Sequence, residues 1–164
     1  MKIFGITGWS GSGKTTLIER IVPQFVARGL VVSLIKHAHH SFDVDHPGKD
    51  SYRHRQAGCT EVLVSSQNRW VVMHELRGAP EPTLDEQIRR IAPCDLLLIE
   101  GYKRYPMSKL EVWRKDNAKP VLHPEDPNIV ALAADAEMET KLPRFDLNDY
   151  EGIAGFVLRF NGLA

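Results

Sequence analysis

Cysteine is scarce in this sequence, and the features that mark secreted or membrane-spanning proteins are missing. The 164 residues include two cysteines, Cys59 and Cys94, without CxxC spacing, which argues for reduced thiols and against a disulfide framework. No apolar run approaches the roughly 18–20 residues that a membrane-spanning helix needs. A glycine-rich motif follows the first residues too soon for a signal peptide. We therefore expect a cytoplasmic protein.

Neither sign of charge is in excess. Lysine and arginine total 21, aspartate and glutamate total 21, and the sequence pI is about 7.1. This balance gives no electrostatic reason to expect binding to nucleic acid or to acidic membranes. Apolar residues make up 43% of the chain, enough to build a core at this length. We expect a single domain over residues 1–164.

Apolar runs of strand length alternate with stretches of helical spacing along most of the chain. The run at 96–99 is continuously apolar, which is typical of a strand covered on both faces. Such alternation predicts an α/β protein whose mostly parallel sheet is flanked by helices. The predicted strands cover 2–7, 30–36, 95–100, 109–114 and 128–134, and the predicted helices 17–26, 50–57, 83–92 and 148–160.

Three local signals add detail to this pattern. Pro23 lies inside the first helical stretch, and because proline lacks the backbone N–H, we expect a kink or short break there. Thr83 and Glu86 form a capping-box pattern at the start of the third helix. The β-rich runs 61–66 and 70–76 predict a hairpin. This hairpin does not fit the alternation, so it is either an antiparallel edge of the sheet or an arm for a partner.

Residues 8–15 match the phosphate-binding pattern GxxxxGK[ST] in full. They read Gly8-Trp9-Ser10-Gly11-Ser12-Gly13-Lys14-Thr15, between a predicted strand and a predicted helix. The glycines let the backbone turn its N–H groups toward anionic oxygens, and the helix N-terminus adds positive charge. Lys14 is expected to reach the β- and γ-phosphates, Thr15 to bind Mg²⁺, and Thr16 to contact the next phosphate. The pattern predicts a P-loop NTPase fold that binds a triphosphate, without revealing the base.

The apolar strand at 95–100 carries an acid at each end. Asp95 and Glu100 are five residues apart, roughly 16–17 Å in an extended strand, so both cannot serve one ion. Ligands of such sheets lie at the carboxyl ends of the strands, so geometry selects Glu100 as a Mg²⁺ ligand, direct or through water. Glu100 is also a candidate for orienting the attacking water, and with Lys14 it forms the predicted catalytic set. An exposed strand-end acid is the alternative for Glu100, and Asp95 is interpreted as structural.

Two neighbouring segments supply further candidates. Gly101 and Lys103 follow at the same sheet edge, where Lys103 is expected to touch phosphate or a second ligand unless it is merely solvated. The polar segment 36–55 follows the second strand and should face the phosphate site, as γ-phosphate sensors do. Asp45 is a candidate ligand of Mg²⁺, and Lys49 and Ser51 are candidate anion contacts. The alternative is that the segment is a polar surface loop without a binding role.

The same polar segment is rich in histidine. Five of the seven histidines lie between positions 37 and 54: His37, His39, His40, His46 and His54. A transition-metal site is therefore another alternative, but the spacing matches no zinc pattern and no cysteine lies nearby.

Several of these segments occur in the same order in molybdopterin-guanine dinucleotide biosynthesis protein B, the MobB family, which the sequence resembles over nearly its whole length. The PGKDS segment at 47–51 combined with IEGYK at 99–103 is much more specific than the P-loop. The matching segments are 8–16, 34–40, 43–45, 47–52, 98–103 and 146–149, with Ser66-Gln67 and Arg69-Trp70.

The resemblance implies a GTP-binding protein with weak GTPase activity. It would act beside the guanylyltransferase that attaches GMP to molybdopterin, which forms the guanine dinucleotide of the molybdenum cofactor. It also implies a homodimer in which the hairpin takes part, and molybdopterin or its guanine dinucleotide as a further ligand. A P-loop kinase or ligase of a small metabolite is one alternative, and a pure binding module is another.

Guanine recognition is not evident from the residues themselves. The NKxD motif of many GTPases is absent, and residues 117–120 (Asn-Ala-Lys-Pro) do not match it. Asp135 lies at a sheet end where a base fits, so it is a candidate for guanine N1 and N2, with a capping role as the alternative. No arginine finger is evident, and Arg53, Arg55 and Arg69 qualify only if a partner or second subunit delivers them. Slow intrinsic hydrolysis is therefore predicted.

Overall fold

The structure is a computed structural model that describes residues 1–38 and 42–164. The chain divides into two compact units, one formed by Met1–His37 with Ile88–Ala164 and the other by Ala38–Gln87. No helix of the described residues is long and apolar enough to cross a membrane. The strands are β1 (Lys2–Thr7), β2 (Val32–Lys36), β3 (Glu61–Ser65), β4 (Trp70–His74), β5 (Leu96–Glu100), β6 (Lys109–Trp113), β7 (Ile129–Ala134) and β8 (Arg144–Asp146), and the helices are α1 (Lys14–Val26), α2 (Asp50–Gln56), α3 (Leu84–Arg90) and α4 (Tyr150–Phe160).

A six-stranded sheet in the order β2-β5-β1-β6-β7-β8 forms the centre of the first unit. Every neighbouring pair of strands is parallel, so their carboxyl ends share one edge. All five residues of β5 are buried, as its apolar run predicted. The predicted α/β fold with a mostly parallel sheet is confirmed. The sheet brings the residues after β1, β5 and β6 to the same edge.

Helices α1 and α4 pack their apolar faces into the core of this unit. Ile21 and Phe25 of α1 are fully buried together with Phe4 of the central strand. Burial of two such side chains stabilises the helix by several kcal/mol, more than one missing backbone hydrogen bond costs. Accordingly α1 runs through Pro23 without a break, and a kink at Pro23 stays a prediction.

The last helix begins later than its sequence pattern indicates. Asp149 is the N-cap and its carboxylate accepts a hydrogen bond of 2.9 Å from the N–H of Gly152, whereas Asn148 lies outside the helix. The preceding turn explains the shift, because Asp146 already binds the N–H of Asn148.

The second unit contains the predicted hairpin, which is confirmed. Strands β3 and β4 are antiparallel and form a two-stranded sheet of their own, so they are not an edge of the large sheet. Several apolar side chains of this hairpin are exposed, among them Leu63 (62%) and Trp70 (70%). Large exposed apolar side chains of this kind are typical of surfaces that bind another protein.

Candidate phosphate-binding site

The glycine loop joins the carboxyl end of β1 to the first turn of α1. Gly8 has φ 143°, and a Cβ added there would lie 2.3 Å from the backbone oxygen of Val112, so only glycine permits this approach to β6. Gly13 is the N-cap of α1 with a left-handed φ of 97°. The N–H groups of the first helical turn have no acceptor within the helix. The loop therefore presents backbone donors and the positive end of the helix at the sheet edge.

Lys14 lies over this loop. Its ammonium donates to the backbone oxygens of Trp9 at 2.8 Å and Gly8 at 3.1 Å. Burial lowers the pKa of Lys14, and although Glu100 opposes this effect, the neighbouring Lys103 and Lys36 lower the pKa further. A half-buried ammonium among other cations is stabilised by an added anion, which is what a triphosphate supplies.

Thr15 and Glu100 meet beside the loop. The Thr15 hydroxyl donates to Glu100 Oε1 at 3.1 Å, and Lys36 lies 3.5 Å from the same oxygen and 3.4 Å from the hydroxyl. Glu100 is only 6% exposed, which contradicts the alternative of an exposed strand-end acid. Asp95 binds the N–H of Val31 at 2.8 Å, as its structural interpretation predicted. The structure thus brings two of the predicted metal ligands, Thr15 and Glu100, into contact beside the phosphate loop.

The residues present fit a magnesium–triphosphate. The Ser12 hydroxyl, within the loop, is buried and has no hydrogen-bond partner among the described residues. Hydroxyl and carboxylate oxygens, such as those of Thr15 and Glu100, suit Mg²⁺, which keeps several waters and takes phosphate oxygens as further ligands. No group of three or more His, Cys, Asp or Glu able to hold a metal occurs in the part of the chain that the structure describes. His39 and His40 lie outside the described residues.

The segment after β5 also reaches the loop. Gly101 has φ 98°, and the Lys103 ammonium lies 4.0 Å from the centre of the Trp9 ring, a cation–π contact. Lys109 fixes the backbone of this segment, because its fully buried ammonium donates to the backbone oxygens of Lys103 and Tyr105. Lys103 is therefore positioned at the P-loop, and its role toward a ligand stays a prediction.

A third segment at the site, residues 114–120, had no predicted role. The Asn117 amide donates to the oxygen of Ser10 at 3.1 Å, and the indole N–H of Trp9 donates to the oxygen of Pro120 at 2.7 Å. These contacts join residues 107 and 111 positions apart, so no local sequence signal reveals them.

Asp135 lies at the end of β7 and faces this third segment. Its carboxylate accepts a hydrogen bond of 2.8 Å from the N–H of Lys115, the first residue of a 3₁₀ turn at Lys115–Asn117. This contact satisfies a backbone donor at the start of the turn from outside it, because the N-cap residue of the turn is Arg114. Recognition of guanine by Asp135 stays a prediction.

The candidates Asp45, Lys49 and Ser51 belong to the second unit, where Asp45 is bound by both Ser51 and Arg55. Asp45 accepts hydrogen bonds from Ser51 at 2.8 Å and from Arg55 at 3.3 Å, and its side chain is 7% exposed. Arg55 also pairs with Asp43 at 2.9 Å and with Glu75. Lys49 is the N-cap of α2, and Asp50 is its first residue. Their roles toward nucleotide and Mg²⁺ stay predictions.

Acidification is expected to destabilise this second unit through Asp43 and Asp45. The N–H of Asp45 and the Arg55 guanidinium lower the pKa of Asp43 below 3.8. Burial raises the pKa of Asp45, but hydrogen bonds from Ser51, the N–H of His46 and Arg55 outweigh it and lower the pKa. Because the folded values lie below the unfolded ones, the stabilisation is complete above pH 3.8 and is lost as the pH falls through the folded values.

Thermal unfolding at pH 6 and at pH 3 measures this effect. Arg55→Met is the matched variant, because it removes the cation and keeps most of the side-chain volume. The wild-type chain should lose more of its thermal midpoint on acidification than the variant does. An equal loss in both chains would contradict the assignment.

Comparison with known proteins decides the family of this chain. The family model of "Molybdopterin guanine dinucleotide synthesis protein B" matches residues 3–135. The chain belongs to the MobB family. It is 39% identical over 162 residues to the "Molybdopterin-guanine dinucleotide biosynthesis adapter protein" of Escherichia coli (strain K12), covering 96% of this chain and 92% of the relative. A protein of the same name from Haemophilus influenzae is 40% identical over 160 residues, covering 94% of this chain and 86% of the relative.

Solved structures of MobB proteins share this fold. A crystal structure of molybdopterin-guanine biosynthesis protein B superimposes with a TM-score of 0.76 at 25% identity, covering 96% of this chain and 99% of that one. The crystal structure of MobB from Bacillus subtilis gives a TM-score of 0.74 at 26% identity, with 97% of each chain covered. The resemblance noted in the sequence and the predicted fold are both confirmed.

Proposed function

We propose that this MobB-family chain is a GTP-binding adaptor with weak GTPase activity in molybdenum cofactor biosynthesis. It assists the attachment of GMP to molybdopterin beside a guanylyltransferase in the cytoplasm, and molybdopterin or its guanine dinucleotide is a further ligand. The observation that carries the proposal is the complete P-loop with Thr15 and Glu100 in contact beside it. The names of the relatives that align with most of the chain favour an adaptor over a small-metabolite kinase.

Different residues bind different parts of the nucleotide. Backbone N–H groups of residues 8–16 and the Lys14 ammonium bind the phosphates, and Thr15 and Glu100 hold Mg²⁺, with Asp45 as a further candidate ligand. When bound, Mg²⁺ neutralises phosphate charge and polarises the γ-phosphate. Lys103 adds positive charge at the same edge, and Asp135 accepts hydrogen bonds from guanine N1 and N2.

Calorimetric titration tests this function directly. GTP, ATP and molybdopterin are titrated separately into the purified chain, each with and without Mg²⁺. The proposal expects Mg²⁺-dependent binding of GTP that is tighter than that of ATP. Tighter binding of ATP would contradict the GTP assignment, and nucleotide consumption that rises sharply with a small acceptor would favour a kinase.

Hydrolysis by the chain alone is expected to be slow, on the order of 10⁻³ per second. Glu100 is the candidate for orienting the attacking water, but its carboxylate is shared with Thr15, Lys36 and the proposed Mg²⁺, which favours a slow reaction. Arg55 is held by three carboxylates of its own unit, which leaves it unsuited to act as a finger. Phosphate release from GTP measures the rate, and turnover at tens per second without a partner would contradict this prediction.

The hairpin is proposed to form the homodimer contact. Leu63 lies opposite Val72 in the register of β3 and β4, and both are exposed. A charge at Leu63 would have to be desolvated in such a contact, so Leu63→Glu should weaken the dimer at least about tenfold. Light scattering measures the mass against the 18.5 kDa of one chain. Asn68→Glu, in the exposed turn, is the control, and an unchanged dimer in Leu63→Glu would argue against this interface.

A further inference from the structure

Arg114 follows the carboxyl end of β6, the strand beside β1, and lies over the glycine loop. A Cβ added at Gly13 would lie 3.4 Å from Nη2 of Arg114, so the guanidinium borders the N-cap of α1. The side chain is exposed. Among the described residues it makes no ion pair with a carboxylate, so its position is not explained by an internal partner.

The backbone that carries Arg114 is fixed at both sides of the residue. The N–H of Lys115 is bound by Asp135, and the Asn117 amide is bound to the loop itself at Ser10. On the preceding strand, the fully buried carboxylate of Glu111 accepts hydrogen bonds from the N–H groups of Leu122 and His123. These bonds fix the backbone that follows residues 114–120. The backbone that presents the guanidinium is therefore already positioned, so binding has to order the Arg114 side chain alone.

Positive charge around the loop exceeds negative charge. Lys14, Lys36, Lys103 and Arg114 border the P-loop, whereas Glu100 is the acid paired within this group. A guanidinium beside a helix N-terminus is repelled by the positive end of the helix. An anion between them would offset this repulsion, and phosphate, like carboxylate, accepts two parallel hydrogen bonds from a guanidinium.

We propose that Arg114 is a further nucleotide-contacting residue, whose guanidinium binds the phosphate chain from the side of β6. This inference rests on the proposed function, because it assigns a contact within the same nucleotide site. Arg114 and Lys14 then hold the phosphates from different segments of the sheet edge. Asp135 binds the segment that carries Arg114, and Asn117 belongs to it, so the contact also connects phosphate binding to these two residues.

Binding of Mg²⁺–GTP and of inorganic tripolyphosphate with Mg²⁺ to Arg114→Ala tests the contact. Loss of a charge-assisted hydrogen bond predicts affinity for both probes that is about tenfold to hundredfold weaker than in the wild type. Arg114→Lys should recover part of this loss, because the charge remains and the paired geometry does not. Lys115→Ala is the matched control, since it removes an adjacent positive charge and should change affinity by less than about threefold. Without nucleotide, the thermal midpoint of Arg114→Ala should agree with that of the wild type, because the Arg114 side chain is exposed and makes no ion pair among the described residues.

The outcomes separate this inference from the function on which it rests. If the wild-type chain binds Mg²⁺–GTP and Arg114→Ala binds both probes equally well, the inference is overturned and the proposed function stands. If only GTP binding weakens and tripolyphosphate binding does not, Arg114 contacts the base and the phosphate contact is overturned. If the wild-type chain binds neither probe, the proposed function fails and the inference fails with it.

Discussion

Lys14→Ala is expected to weaken Mg²⁺–GTP binding by about 2–5 kcal/mol, a roughly thirtyfold to several-thousandfold loss of affinity. The ammonium is half-buried and already lies over the loop, bound to the oxygens of Gly8 and Trp9. Its removal takes away the cation that lies directly over the loop and would neutralise phosphate charge there. Calorimetry with Mg²⁺–GTP measures the change.

The fold should survive this substitution. Among the described residues no carboxylate lies within salt-bridge distance of Lys14, and repulsion by Lys36 and Lys103 opposes the attraction of Glu100, so the unliganded chain loses little stability. The increase in thermal midpoint produced by GTP should disappear, because ligand stabilisation follows affinity. Lys141→Ala, at an exposed lysine far along the chain, is the control. Affinity within about threefold of the wild type in Lys14→Ala would contradict the assignment of this loop.

The same variant separates two interpretations of what the nucleotide does. In cells that carry Lys14→Ala as the only copy, an adaptor that needs GTP fails to support formation of the guanine dinucleotide cofactor. Intact cofactor formation without GTP binding would show that the partner contact matters and that hydrolysis is incidental. Either interpretation requires that the cells contain the variant at the same level as the wild-type protein.

Features that depend on neighbouring residues could be predicted from the sequence. The P-loop is one such feature, because its pattern and its strand-to-helix setting lie within about 25 residues. The capping box is another: the N–H of Thr83 donates to the Glu86 carboxylate at 2.7 Å and the N–H of Glu86 donates to the Thr83 hydroxyl at 3.3 Å, as their spacing predicted. Glu100 was selected over Asp95 from the length of the strand and the rule that ligands lie at the carboxyl ends of parallel strands, and the structure places it in contact with Thr15.

Features that depend on distant residues could not be predicted in this way. Strand β8 has three residues, too few to show a period, and no local signal places residues 114–120 on the P-loop. Strand β6 alternates charged and apolar residues, a pattern typical of a strand with one solvated face. Both of its charged residues, Lys109 and Glu111, are instead fully buried, because the irregular loops before and after the strand supply their partners.

Lys109→Ala is expected to destabilise the fold by about 3–5 kcal/mol, a large part of the 5–15 kcal/mol typical of a domain. The ammonium is 0% exposed, and its three donors meet three acceptors: Lys103 O at 2.7 Å, Tyr105 O at 2.8 Å and Asp126 Oδ2 at 2.8 Å. Removal leaves a cavity and a partly buried carboxylate without its cation. Thermal and denaturant unfolding measure the loss, with the exposed Lys2→Ala as the control.

The pH dependence of the same variant identifies the charge pair as the cause. Burial raises the pKa of Asp126, but hydrogen bonds from Lys109 and Asn128 outweigh this and lower it below 3.8. The pair therefore stabilises the fold above pH 3.8, and this contribution is lost as the pH falls through the folded value. The stability difference between wild type and Lys109→Ala should shrink at pH 3. A difference that stays constant with pH would mean that the cavity, and not the loss of the ion pair, accounts for the destabilisation. Lys109→Met combined with Asp126→Asn should recover part of the loss, because it fills the cavity and removes the unpaired charge.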